Sequence, residues 1–163
     1  MFYAGIGSRL TPADICDKLT LLASHLEKLG YVLRSGGAGG ADTAFEKGVL
    51  ETKNKVIWKA QHASHKAIEF ASSYHPAWQF CSEYARKLHG RNAMIILGEE
   101  LKDPAKFVVC WSPSDDYGGT AMGIKIAKAH NIPVFNFREK SLEDVYAFLE
   151  GAAWKLLSYV LSA

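Results

Sequence analysis

Apolar residues recur along this chain in two alternating rhythms. Short runs read as strands: Phe2-Tyr3-Ala4-Gly5-Ile6, Tyr31-Val32-Leu33, Lys55-Val56-Ile57-Trp58, Phe107-Val108-Val109-Cys110-Trp111 and Ile132-Pro133-Val134-Phe135-Asn136-Phe137. Between them lie segments with apolar positions at three- and four-residue steps, the mark of a helix with one buried face. The first is the plainest. Ile15, Leu19, Leu22, Leu26 and Leu29 share a face, Thr11 suits the N-cap, Pro12 the first helical position and Asp14 the first turn, and Gly30 supplies the stop. A helix over about 42–51 follows the second strand. Residues 60–104 are less regular and predict helices over about 63–73, 76–89 and 91–98, with breaks near Pro76 and Gly90. Gly118-Gly119-Thr120 opens a helix carrying Ala121, Ile124, Ala127 and Ala129. Ser141 caps a terminal helix over about 141–162 with Leu142, Val145, Phe148, Leu149, Leu156 and Val160.

Strands separated by helices predict an α/β fold: a Rossmann-like, doubly wound, mainly parallel five-stranded sheet, with a helical insertion between strands three and four. The whole chain, 1–163, reads as one domain. Residues 107–111 are almost continuously apolar, as expected of a central strand buried on both faces. Ligands bind such sheets beyond the strand C-terminal ends, where the strand order reverses. Placing the first and fourth strands side by side there brings together three loops, Gly5–Arg9, Gly36–Asp42 and Ser112–Thr120.

Composition narrows the classes. Apolar content of 48% and charged content of 22% are those of a soluble globular domain, and a net charge of +2 gives no global attraction to nucleic acid or membrane. No apolar run approaches the roughly 20 residues of a membrane span, and the first strand begins too early for a signal peptide, so a cytoplasmic protein is expected. Cys16, Cys81 and Cys110 are scattered and odd in number, which argues for reduced thiols over a disulfide framework or a zinc site. The six histidines show no ligand spacing, and His62 and His65 read as surface residues; neither a metal nor a cofactor is expected.

Four glycines fall within the five residues 36–40, between a strand and a helix. Missing side chains let a ligand approach backbone N–H groups, and the helix start favours an anion such as phosphate. The candidate binding residues are Gly5, Gly7, Ser8 and Arg9 from the first loop, and Ser35, Gly36, Gly37, Ala38, Gly39, Gly40 and Asp42 from the second. Trp111, Ser112, Gly118, Gly119 and Thr120 come from the third. The pattern is not a G-x-G-x-x-G after the first strand, and there is no G-x-x-x-x-G-K-[ST], which disfavours a dinucleotide oxidoreductase and a P-loop hydrolase. Arg9 either grips a phosphate or is a solvated loop residue. Asp42 either binds a ribose hydroxyl or caps its helix. Glu46, one turn further along, is the nearest carboxylate for acid–base catalysis, or a solvated helix residue. Trp58 and Lys59 are candidates to stack on a base and meet a phosphate, with a half-buried tryptophan the alternative there and at Trp111. Arg91 and Asn92 are candidates to reach over the pocket from the helical insertion.

Ser35-Gly36-Gly37-Ala38-Gly39-Gly40-Ala41-Asp42 resembles the S-G-x-A-x-G-x-D pattern of the DNA-processing A proteins. These share the SLOG-type nucleotide-binding superfamily with the Lonely Guy phosphoribohydrolases. Tyr3-Ala4-Gly5-Ile6-Gly7-Ser8-Arg9, His75-Pro76-Ala77-Trp78, His89-Gly90-Arg91-Asn92 and Cys110-Trp111-Ser112-Pro113 resemble a compact single-domain branch often met in bacteriophage genomes. The resemblance extends to Phe137 and implies a site for a nucleotide or nucleotide-derived signal, and the host cytoplasm if the chain is phage-encoded. Two alternatives come with it. The Lonely Guy likeness implies hydrolysis of a nucleotide N-glycosidic bond. This chain lacks the proline and the glutamate of P-G-G-x-G-T-x-x-E around Gly118-Gly119-Thr120, so Glu46, Asp115 or Asp116 would have to serve. The DNA-processing likeness implies single-stranded DNA as a partner, gripped by Arg9, Lys59 and Arg91 with Trp58 stacking, although Glu46 stands where a histidine is common in those proteins. The apolar stripe of the terminal helix packs on its own sheet or, as a second reading, against another copy of the chain.

Overall fold

The computed structural model describes residues 1–114, 116 and 118–161, with side chains of the terminal helix described as far as Ala153. Its sheet has five parallel strands in the order β3-β2-β1-β4-β5. These are β1 Phe2–Gly7, β2 Val32–Ser35, β3 Lys55–Ile57, β4 Val108–Trp111 and β5 Val134–Asn136. The helices are α1 Ala13–Lys28, α2 Ala41–Gly48, α3 His65–Ser72, α4 Glu83–Leu97, α5 Gly118–Ala129 and α6 Leu142–Leu161. Among the described residues no helix is long and apolar enough to cross a membrane.

The period-two alternation of strand side chains divides the interior into two cores. Tyr3, Leu33, Phe107 and Val109 point to one face, where they meet Leu19, Leu22 and Leu26 of α1, Phe45 of α2 and Val145 of α6. Ala4, Ile6, Val108 and Cys110 point to the other, against Ile95 and Ile96 of α4 and Met122, Ile124 and Ile126 of α5. The start of α6 therefore packs on its own sheet, with Leu142, Phe148 and Leu149 joining the first core; Leu156 and Val160 lie outside the described side chains. Arg34, buried in β2, lays its guanidinium 3.8 Å over the Phe2 ring and pairs with Asp103, tying the α4–β4 connection to the sheet.

Three expectations are corrected at element ends. The first helical hydrogen bond of α1 runs from the Cys16 N–H to the Pro12 carbonyl, so Pro12 occupies the cap position, while the Thr11 hydroxyl donates to the Ser8 carbonyl at 2.6 Å. α2 stops at Gly48 because Val49 is already extended. The expected pair of helices over 76–89 and 91–98 is one helix, α4. Gly90 does not break it; a Cβ there would lie 2.7 Å from Ile68 Cγ1 and 2.9 Å from the Ile68 backbone nitrogen, so the glycine lets α3 approach closely. Pro76 stands in the connection before α4, and the Ser82 hydroxyl caps that helix by accepting the Ala85 N–H at 3.2 Å.

Candidate functional site

The switch in strand order lies between β1 and β4, and at their C-terminal ends a cavity of about 320 Å³ opens. All three expected loops reach it: Gly7, Ser8 and Arg9 after β1, Ala38 and Asp42 around the start of α2, and Ser112, Pro113, Gly118, Gly119 and Thr120 between β4 and α5. The far wall comes from α4, where Leu88, Arg91 and Asn92 stand at helical i, i+3, i+4 spacing on one face. Asn92 Nδ2 donates to the Gly119 carbonyl at 2.9 Å, which fixes the start of α5 against that wall.

Asp42 forms the buried floor. It is not the cap of α2, since Gly40 holds the cap position with φ of +75°, a conformation that favours glycine. Instead the Asp42 carboxylate accepts the Gly7 N–H at 3.1 Å and the Ala38 N–H at 3.2 Å, and the Arg91 guanidinium lies 3.9 Å away. Burial pushes its pKa up to about 6, against the lowering effects of the Ala38 N–H, Arg91 and the Gly7 N–H. The group is thus a carboxylate at neutral pH. Arg91 is itself buried, and burial lowers its pKa, with Asp42 and Tyr84 opposing and the nearby Arg9 adding to the effect. Arg9 is exposed at the mouth, so two guanidinium groups face the same opening.

The glycine loop also does structural work. Gly36 is empty of side chain because a Cβ would fall on Arg91 Nη1; the residue makes room for the guanidinium. Two of the amides available to an anion, on Gly7 and Ala38, are taken by Asp42. The start of α5 and Arg9 line the opposite side of the cavity.

Other predicted residues support the site without lining it. Gly5 lies under the Phe45 ring and Ser35 is fully buried. Gly37 offers its carbonyl to Lys59 Nζ at 2.7 Å, so Lys59 braces the loop, and Gly40 packs against the Ser8 carbonyl. Gly39 has open space around it. Trp58 is half-buried against the second core and Trp111 half-buried against the first, and neither lines the cavity. Glu46 is half-buried one turn beyond Asp42, outside the cavity lining. Asp115 and Tyr117 lie outside the described residues; Asp116 is exposed. Leu88 is a lining residue that sequence reading misses, although its helical spacing to Arg91 and Asn92 is the available signal. Among the described residues the lining holds one carboxylate and no histidine or cysteine, so the cavity itself offers no metal donor set.

No family model and no curated protein matches this sequence. Among solved structures the fold is similar to that of DNA processing protein A from Helicobacter pylori, which binds single-stranded DNA. The TM-score is 0.59 and the identity 22%, over 83% of this chain and 64% of that chain. The chain thus spans a little under two thirds of that protein's length, and the likeness establishes a shared Rossmann-like fold.

Proposed function

We propose that the cavity binds a nucleotide or nucleotide-derived signal, with the phosphate against Arg9 and the first amides of α5, and Asp42 toward the sugar. The observation that carries this is the convergence of two guanidinium groups and an exposed helix start on one cavity at the sheet switch point. A volume of about 320 Å³ is at the small end of ligand sites, roughly 300–1,000 Å³, and suits one nucleotide better than a dinucleotide. Asp42 supplies what a phosphate site alone would not need: a fixed carboxylate able to accept hydrogen bonds from ribose hydroxyls.

Calorimetry with nucleoside monophosphates, ADP-ribose and cyclic nucleotides tests the proposal. A charge-assisted phosphate contact is worth about 1.5–3 kcal/mol, so Arg9→Ala is expected to weaken binding by roughly 10–100-fold. Because Arg9 is exposed, the thermal melt of the variant is expected to be unchanged. Absence of binding across the whole panel would overturn the proposal.

A second reading is single-stranded DNA as the source of the nucleotide. It is favoured by the structural neighbour and by Tyr84, which is 62% exposed on α4 one turn before Leu88. Trp58 and Lys59 lie outside the cavity lining, the one half-buried against the second core and the other bracing the glycine loop. Hydrolysis of an N-glycosidic bond by Glu46 finds no support in the cavity geometry.

A further inference from the structure

Outside the cavity, three residues from one fifteen-residue stretch meet at the start of α4. His75 comes from the connection after α3, Cys81 precedes the cap residue Ser82, and His89 lies two turns into the helix. One donor atom from each lies within 4.8 Å of the others. Cys81 Sγ is 3.7 Å from both ring nitrogens of His75, and the two imidazole centroids are 4.8 Å apart. Trp78 covers one side, its ring 6.1 Å from His75 and 6.0 Å from His89. His89 Nδ1 is buried and has no hydrogen-bond partner among the described residues.

We propose that His75, Cys81 and His89 form a three-ligand site for a divalent transition metal of the zinc class. This goes beyond the nucleotide reading and is independent of it. Thiolate and imidazole are the donors zinc prefers, and Zn–S near 2.3 Å with Zn–N near 2.0–2.1 Å at tetrahedral angles separates sulfur from nitrogen by about 3.5 Å. The sulfur already stands at about that distance, 3.7 Å, but equally from both His75 nitrogens, so binding needs the imidazole to turn until one lone pair and the sulfur point to the same centre. The His75 Nδ1 lone pair accepts the Ala77 N–H at 3.2 Å, a single neutral hydrogen bond that a metal–imidazole bond outweighs. Cys81 loses its proton on binding. All three side chains are half-buried, so the fourth tetrahedral position is left to water or an outside ligand. Bound metal would tie the connection between α3 and α4, in which the single turn Trp78–Phe80 is the regular element, to the helix that carries Leu88, Arg91 and Asn92.

The test is titration of the untagged, metal-free full chain with Co²⁺, followed by competition with Zn²⁺. The expected result is one equivalent bound, with the visible bands of tetrahedral cobalt and a sulfur-to-cobalt charge-transfer band. Cys81→Ser should lose the charge-transfer band, and His89→Ala should weaken binding by more than the roughly 10–100-fold typical of an outer-shell change. Zn²⁺ should raise the melting temperature of the wild-type chain and leave that of Cys81→Ser unmoved. Octahedral cobalt spectra only, or a charge-transfer band that survives Cys81→Ser, would overturn the proposal. Cys81→Ser is a near-isosteric change at a half-buried position, so retention of the fold is checked by its circular dichroism.

Discussion

Asp42 is costly where it stands. Its carboxyl is buried, and its pKa is raised from 3.8 to about 6, so the folded chain holds that proton more tightly than the unfolded one. By linkage, stability falls as the pH rises from about 4 to about 6 and is level above that, with the ionised group costing on the order of 3 kcal/mol. Asp42→Asn removes the titration. Urea unfolding is therefore expected to shift by about 3 kcal/mol in favour of the variant between pH 4 and pH 6.5 relative to wild type, with no further change at higher pH. A difference that stays constant across that window would contradict the burial argument. A carboxylate kept ionised at such a cost, with Gly36 left bare to admit its guanidinium partner, fits a residue retained for binding.

At the scale of elements, the site depends on how α4 is carried. Gly90 sits mid-helix where Ile68 of α3 comes against it, so Gly90→Val is expected to push α3 away and destabilise the chain by roughly 1–3 kcal/mol in chemical denaturation. Nucleotide affinity should fall with it, because Leu88, Arg91 and Asn92 ride on the same helix. Glycine taken as punctuation predicts the wrong element here; the same residue type serves close packing as readily as a break. The strands and α1 are legible because period-two and three-to-four-residue repeats report burial directly. The loops at Gly7–Arg9 and Gly118–Thr120 are legible because the end of a parallel strand and the start of the next helix are local. Trp58 and Lys59 are illegible for the opposite reason: whether a side chain leaving a strand faces the cavity, a core or a neighbouring loop depends on elements elsewhere in the chain. Likewise His75, Cys81 and His89 lie within fifteen residues, but their separations of six and eight match no zinc motif and they meet only through the connection that leads into α4.

Over the whole molecule, a net charge of +2 gives only weak long-range attraction, so any hold on single-stranded DNA must come from local contacts. Binding of one nucleotide, as proposed, through a few phosphate contacts predicts a shallow salt dependence, with log K falling by about 0.7 per phosphate contacted against log salt in a gel-shift titration. A slope corresponding to many phosphates would point to an extended groove in place of this cavity. The most direct measurement of the central claim is a calorimetric comparison of a nucleoside 5′-monophosphate with its parent nucleoside. Phosphate recognition by Arg9 and the start of α5 predicts that the monophosphate binds at one site and the nucleoside at least about tenfold more weakly, the smaller end of a charge-assisted contact. Equal affinity for the two, or no heat from either, would contradict it.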